Sequence, residues 1–156
     1  MRSFIVPGEP QGKGRHRTTK SGHTYTPAKT AAYEDTVRHA YWYYHSGSPP
    51  HKKGVPLKVT INAFFAAPKS VKTPRWRKMM IGILRPTKKP DADNISKIIL
   101  DALNPVKDKK TGEIIFAGAY HDDAQIVDLH VKKFWYSEPR VEVTISEIEQ
   151  EEDHGA

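Results

Sequence analysis

A chain of 156 residues with no cysteine excludes disulfide, thiolate and zinc-thiolate chemistry, and its length suits one domain with a real core. Lys and Arg number 25 against 18 Asp and Glu, a formal charge of +7, while the last ten residues, EIEQEEDHGA, hold five of the acids and no base. Residues 1–146 therefore set 25 bases against 13 acids, a net of +12, which suits either a phosphate-rich partner or simply a well-solvated surface.

The opening SFIVPGEP reads as a short strand stopped by Pro7. QGKGRHRTTKSGHTYTP follows as a Gly-rich basic loop, in which Lys13, Arg15, Arg17 and Lys20 suit a phosphate backbone. It is not a nucleotide-binding P-loop, because GEPQGKG has too few residues between its glycines and Gly14 stands where Ser or Thr is needed. From Pro27 a helix is expected over AKTAAYEDTVRHAYWYYH, with Tyr33, Val37, Ala40, Tyr41 and Tyr44 as a core stripe. VPLKVTINAFFAAP alternates Leu57, Val59, Ile61, Ala63 and Phe65 on one face of a half-buried strand. KSVKTPRWRKMMIGILRPTKK is basic, with a short helix starting near Pro74 and with Trp76 expected to pack rather than stack on a base.

DADNISKIILDALN places Ile95, Ile98, Ile99, Ala102 and Leu103 on one helical stripe and Asn94, Lys97, Asp101 and Asn104 on the other. PVKDKKTGEIIFAGAY is a connection with a turn at Lys110-Thr111-Gly112, and AQIVDLHVKKFWY and RVEVTISEI alternate as two final strands. The order predicts one α+β domain over residues 1–146, a mixed sheet of about four strands packed against two or three helices. Residues 147–156 are expected to be a disordered acidic tail. No apolar run approaches the roughly 20 residues of a membrane span. MRSFIVPGEP lacks a signal-peptide core, so a cytoplasmic protein without membrane contact is expected.

The chemistry concentrates in KKPDADNISKIILDALN. Pro90 pushes Lys89 out of the helical region, so the helix begins after it and Asp91 and Asp93 lie at its mouth in a near-extended stretch. One aspartate can cap a helix, and Lys97 and Asp101 can form a surface pair, but two aspartates and an asparagine after a basic segment exceed what capping needs. A calcium loop starting at Asp91 fails, because Ile95, Ser96 and Ala102 occupy positions that require a carboxylate or amide, Gly and Glu. Mg²⁺ fits better, as a hard ion held by a few carboxylates and completed by water and phosphate oxygens. YHDDAQIV supplies the further acids, Asp122 and Asp123, just before a strand.

KPDADNISKIILDAL followed by YHDDAQIVDLHV resembles the two signature segments of the RusA-type Holliday junction resolvases, and VPGEPQGKGRHRTTKSGHTYTPAKTAAYED resembles that family's opening. The resemblance covers most of residues 3–146 and implies a small, frequently prophage-borne endodeoxyribonuclease that acts in DNA recombination and repair. It implies Mg²⁺ as cofactor, with Mn²⁺ able to substitute, and branched DNA with four-way junctions as substrate. It further implies metal ligation by Asp91, Asp93 and Asp123, with Lys97 as the catalytic lysine. Asn94, Asp101, Asp122 and Gln125 match positions around that set, and Asp101 is expected to orient Lys97 or the metal's waters. Lys13, Arg15, Arg17, Lys20, Lys88 and Lys89 are the expected DNA contacts. Two symmetric cuts from a chain with one acidic set imply a two-fold homodimer. The link PVKDKKTGEIIFAGAY departs from the family in being longer than its turn. A flap or branched-DNA nuclease, or a basic DNA-binding protein without catalysis, are the alternatives.

Overall fold

The computed structural model describes residues 1–151. Its frame is a four-stranded sheet of β1 (Arg2–Pro7), β4 (Leu57–Ala66), β7 (Ile126–Tyr136) and β8 (Arg140–Glu147), in the order β1-β8-β4-β7. β8 runs antiparallel to both β1 and β4, whereas β4 and β7 are parallel, so the sheet is mixed as expected. Three helices complete the domain: α1 (Ala28–His45), α2 (Thr73–Met80) and α3 (Ala92–Ala102). Two small hairpins stand outside the sheet, β2 (Arg17–Thr18) with β3 (Thr24–Tyr25), and β5 (Val106–Lys107) with β6 (Ile114–Phe116). No helix among the described residues is long and apolar enough to cross a membrane.

The two-residue period of the strands decides where the core lies. Leu57, Val59, Ile61, Ala63 and Phe65 of β4 are fully buried, with Val141, Val143 and Ile145 of β8 and Phe4 and Val6 of β1 beside them. Onto this face α3 lays Ile95, Ile98, Ile99 and Ala102, with Leu103 just beyond its end, and each is buried as the spacing predicts. Burying side chains of this size contributes about 1.5–3 kcal/mol each. α1 packs Tyr33, Val37, Ala40 and Tyr41 beside them, but Tyr44 is exposed, on the rim of a groove it shares with Ile5 and Pro7 of β1. Trp76 also stands in solvent, since α2 buries only Met79. The opposite face of the sheet carries Lys58, Thr60 and Asn62 of β4, in register with Asp128, His130 and Lys132 of β7.

Several features were not foreseen. The basic loop is pinned into the short β2–β3 hairpin, and the long link after α3 folds as β5–β6 around Gly112, which sits at φ +71°. The last strand, read over RVEVTISEI, runs Arg140–Glu147, and the Ile148 N–H donates to the Pro56 carbonyl at 2.9 Å, so the first two residues assigned to the acidic tail lie against the sheet. Glu147 also meets the buried His51 at 2.8 Å, a hydrogen bond that holds its carboxyl below the ordinary value. The last part of the expected acidic tail, residues 152–156, lies outside the described residues.

Candidate active site

α3 positions the first acidic group. Asp91 is its N-cap and accepts the Asn94 N–H at 2.9 Å, while Asp93 sits inside the first turn rather than in an extended stretch. Both carboxylates are exposed, and Asp93 Oδ2 meets Lys97 Nζ at 3.3 Å one turn along. A carboxylate in the first turn is favoured by the helix dipole, which offsets part of the repulsion between the two acids. Asp101, expected to orient Lys97 or the metal's waters, pairs with Lys13 at 3.2 Å.

Lys13 is drawn inward. Its ammonium donates to Glu34 of α1 at 2.7 Å as well as to Asp101, and its side chain is only 18% exposed. Burial pulls its pKa down, but the hydrogen bonds and charges of Glu34 and Asp101 outweigh that and leave it above the ordinary lysine value. Lys13 therefore ties the basic loop to α1 and α3 with its charge already matched. The Lys13 N–H adds a bond to the Asn94 carbonyl at 3.0 Å. Gly12 makes this approach possible: a Cβ there would stand 2.9 Å from Pro90 Cβ and 3.1 Å from Asn94 Cβ. Gly12→Ala is thus expected to lift the loop off the helix mouth and cost about 1–3 kcal/mol, as overpacked sites do, read as a lowered denaturation midpoint.

Arg15, Arg17 and Lys20 remain exposed on the loop, and Arg15 and Arg17 line a cleft with Lys29 and Thr30. Lys88 and Lys89 are exposed just before the helix, where Lys88 lies 3.8 Å from Glu9. The positive segments 13–20 and 88–89 therefore flank the same end of α3.

The second acidic group lies at the far end. Asp122 caps the single 3₁₀ turn Asp123–Gln125, accepting the Ala124 N–H at 2.8 Å. Asp123 forms a reciprocal pair with Asn104, whose Nδ2 donates to Asp123 Oδ2 at 2.9 Å and whose Oδ1 accepts the Asp123 N–H at 3.1 Å. Gln125 clamps the turn through four bonds. Its Oε1 accepts the N–H groups of His121 and Asp122, and its Nε2 donates to the carbonyls of Lys52 and Val55. Tyr120 is buried beneath, donating to the Leu100 carbonyl at 2.6 Å, and burial, with the charges of Asp123, Asp101 and Asp122, pushes its pKa up and keeps it neutral. Asn104 and Tyr120 are site residues that the motif reading passed over. Asn104 alone had a signal, its place on the polar stripe with Asn94, Lys97 and Asp101.

The two acidic groups do not meet within one chain. Asp91 and Asp101 are ten residues apart on one helix, about 15 Å at 1.5 Å per residue. Asp123 is tied to Asn104, beyond the same end as Asp101. Among the described residues, no group of three or more His, Asp or Glu side chains stands close enough to hold one metal ion. The donor chemistry of exposed carboxylates suits a hard cation, but one chain does not gather Asp91, Asp93 and Asp123 around it.

Against known proteins, the chain falls among the endodeoxyribonucleases. The family model described as "Endodeoxyribonuclease RusA" matches residues 7–146, and the chain belongs to that family. It is 36% identical over 154 aligned residues to the uncharacterized protein YqaN of Bacillus subtilis (strain 168), covering 93% of this chain and 95% of that one. It is 29% identical over 97 residues to the crossover junction endodeoxyribonuclease rusA of Lactococcus phage r1t, covering 62% of this chain and 59% of the phage protein.

Proposed function

We propose that this chain resolves four-way DNA junctions by paired symmetric nicks, in recombination and repair, as a metal-dependent nuclease working in two-fold dimers. The observation that carries the reading is the anchoring of the basic loop on the mouth of the acidic helix, through the Lys13 N–H bond to Asn94 and the close approach of Gly12 to Pro90. Charges of opposite sign, far apart in sequence, are thereby held at one place where a phosphate backbone can be drawn in. The name of the phage relative supports the choice of junction DNA as substrate.

Arg15, Arg17, Lys20, Lys88 and Lys89 hold the backbone, and such contacts position DNA without reading its bases. Lys97, steadied by Asp93 at 3.3 Å, neutralises a non-bridging phosphate oxygen as charge develops there. Asn104 and Gln125 keep Asp123 and its turn rigid. Mg²⁺, or Mn²⁺ in its place, would be held by Asp91 and Asp93 of one subunit and Asp123 of the partner subunit, where it supplies an activated water and offsets phosphate charge. A dimer serves both needs: it joins the separated acidic groups and provides one cut for each of two strands.

The test is cleavage of a labelled four-way junction, a flap and a matched linear duplex, with Mg²⁺ and with EDTA. Paired symmetric nicks confined to the junction and abolished by EDTA are expected. Equal cutting of flaps would replace the resolvase with a general branched-DNA nuclease, and tight binding without cutting in any divalent ion would end the catalytic reading.

A further inference from the structure

We propose that β7 is the seam of the dimer, pairing antiparallel with β7 of a second copy about Leu129. The inference rests on the dimeric reading above and names the surface that would build it. β7 is an edge strand, hydrogen-bonded to β4 on one side only. Its second half is partly covered, because Arg85 Nε donates to the Lys133 carbonyl. Among the described residues its first half is open and carries two exposed apolar side chains, Val127 at 64% and Leu129 at 42%. An open edge strand of this kind is a template for another strand unless something blocks it.

The occupant follows from the sequence of that half, Val127-Asp128-Leu129-His130-Val131. A bulge between Ile126 and Asp128 sets Val127 out of step with β4, and beyond it Asp128-Leu129-His130 reads acid, apolar, imidazole in one direction and imidazole, apolar, acid in the other. Antiparallel pairing about Leu129, past the bulge, therefore sets Leu129 opposite itself and Asp128 opposite His130. Within one chain Asp128 Oδ1 and His130 Nε2 already lie 2.8 Å apart on the face away from the helices. Two copies alternate acid and imidazole around the axis, and opposite partners across strands are favourable where like charges are not. Centring on Asp128 would face that carboxylate with itself. Centring on His130 would set Val127 against Lys133, whose carbonyl Arg85 occupies. A slip by one residue would send every side chain to the wrong face.

The same pairing cures the separation of the carboxylates. α3 runs antiparallel to β7: Lys133, late in the strand, donates its ammonium to the carbonyl of Lys88 just before the helix, while Asn104 holds Asp123 at the start of the strand. Antiparallel strands lay the start of one β7 beside the end of the other. The Asp91–Asp93 end of one subunit thus comes to the Asp122–Asp123 turn of its partner, twice in each dimer.

The chain has no cysteine, so Leu129→Cys introduces a single thiol. Facing Cα atoms in antiparallel strands are about 4.5–5.5 Å apart, within the span of a disulfide. Oxidation of Leu129→Cys is expected to convert most of the protein to a covalent dimer, while Ile115→Cys on the exposed β5–β6 hairpin stays uncoupled. Leu129→Glu, which sets two carboxylates face to face, is expected to weaken dimerisation about a hundredfold or more in sedimentation equilibrium, with an unchanged circular dichroism spectrum. A dimer that Leu129→Cys does not cross-link, or that Leu129→Glu leaves intact, would overturn the seam. A Leu129→Glu monomer that still nicks junctions would leave the seam standing and overturn the shared acidic site instead.

Discussion

Asp93→Asn is expected to yield a folded protein that binds four-way junctions and does not cut them. The carboxylate is exposed, so its loss removes from α3 a dipole interaction of about 0.3–1 kcal/mol and an i,i+4 surface pair worth about 0.2–0.5 kcal/mol. Cleavage should fall about a hundredfold or more, because the substitution removes a proposed ligand and releases Lys97 from the partner that holds it at 3.3 Å. Asp123→Asn should do the same from the other end of the helix. The two inactive variants, co-expressed and assembled together, are expected to recover cutting. In a mixed dimer, one composite site takes intact Asp93 from one subunit and intact Asp123 from the other, while the second site carries both defects. The product should be singly nicked junction rather than resolved duplexes. Were each site built within one chain, every chain in the mixture would carry a defect, and no nicks would appear above those of the separate variants.

Lys13→Met should lower stability by about 1–3 kcal/mol, the cost of taking a hydrogen-bonded cation from a partly shielded carboxylate. Glu34 is only 12% exposed and would keep Arg38 alone, at 3.8 Å, while Asp101 would lose its cation altogether. Urea denaturation with an unchanged slope would read this loss. Removing the acid as well, in Lys13→Met with Glu34→Leu, should restore most of it, since the penalty belongs to the stranded charge rather than to the missing bond. A loss under about 1 kcal/mol in the single variant would mean that water reaches Glu34 and that the loop is anchored by its backbone alone.

These residues show where sequence reasoning succeeded and where it stopped. The stripes of β4 and α3 were legible because apolar spacing is a local property: a strand repeats every two residues, a helix every 3.6, and each must turn its apolar side to one core. The acidic motifs were legible for a related reason, since more carboxylates stood at one helix start than capping requires. Lys13 was read as a DNA contact because basic residues in a Gly-rich loop look alike in sequence. Its actual partners, Glu34 and Asp101, are 21 and 88 positions away, and nothing local marks a lysine that will be drawn inward. Tyr44 failed similarly, for periodicity names a face without saying how closely a neighbour covers each position of it, and Trp76 failed because nothing local shows that α2 buries Met79 alone.

Legible in the residues alone are the class of domain, the two acidic motifs, the lack of thiol chemistry and the self-complementary order of residues 128–130. Each is written in residue types and short spacings. Only the tertiary structure decided that the two motifs sit at opposite ends of α3, that Asn104 fastens Asp123 there, and that β7 is left with an open edge. Those outcomes depend on strand order and on which way a helix crosses the sheet, and they are set by how distant apolar faces pack together.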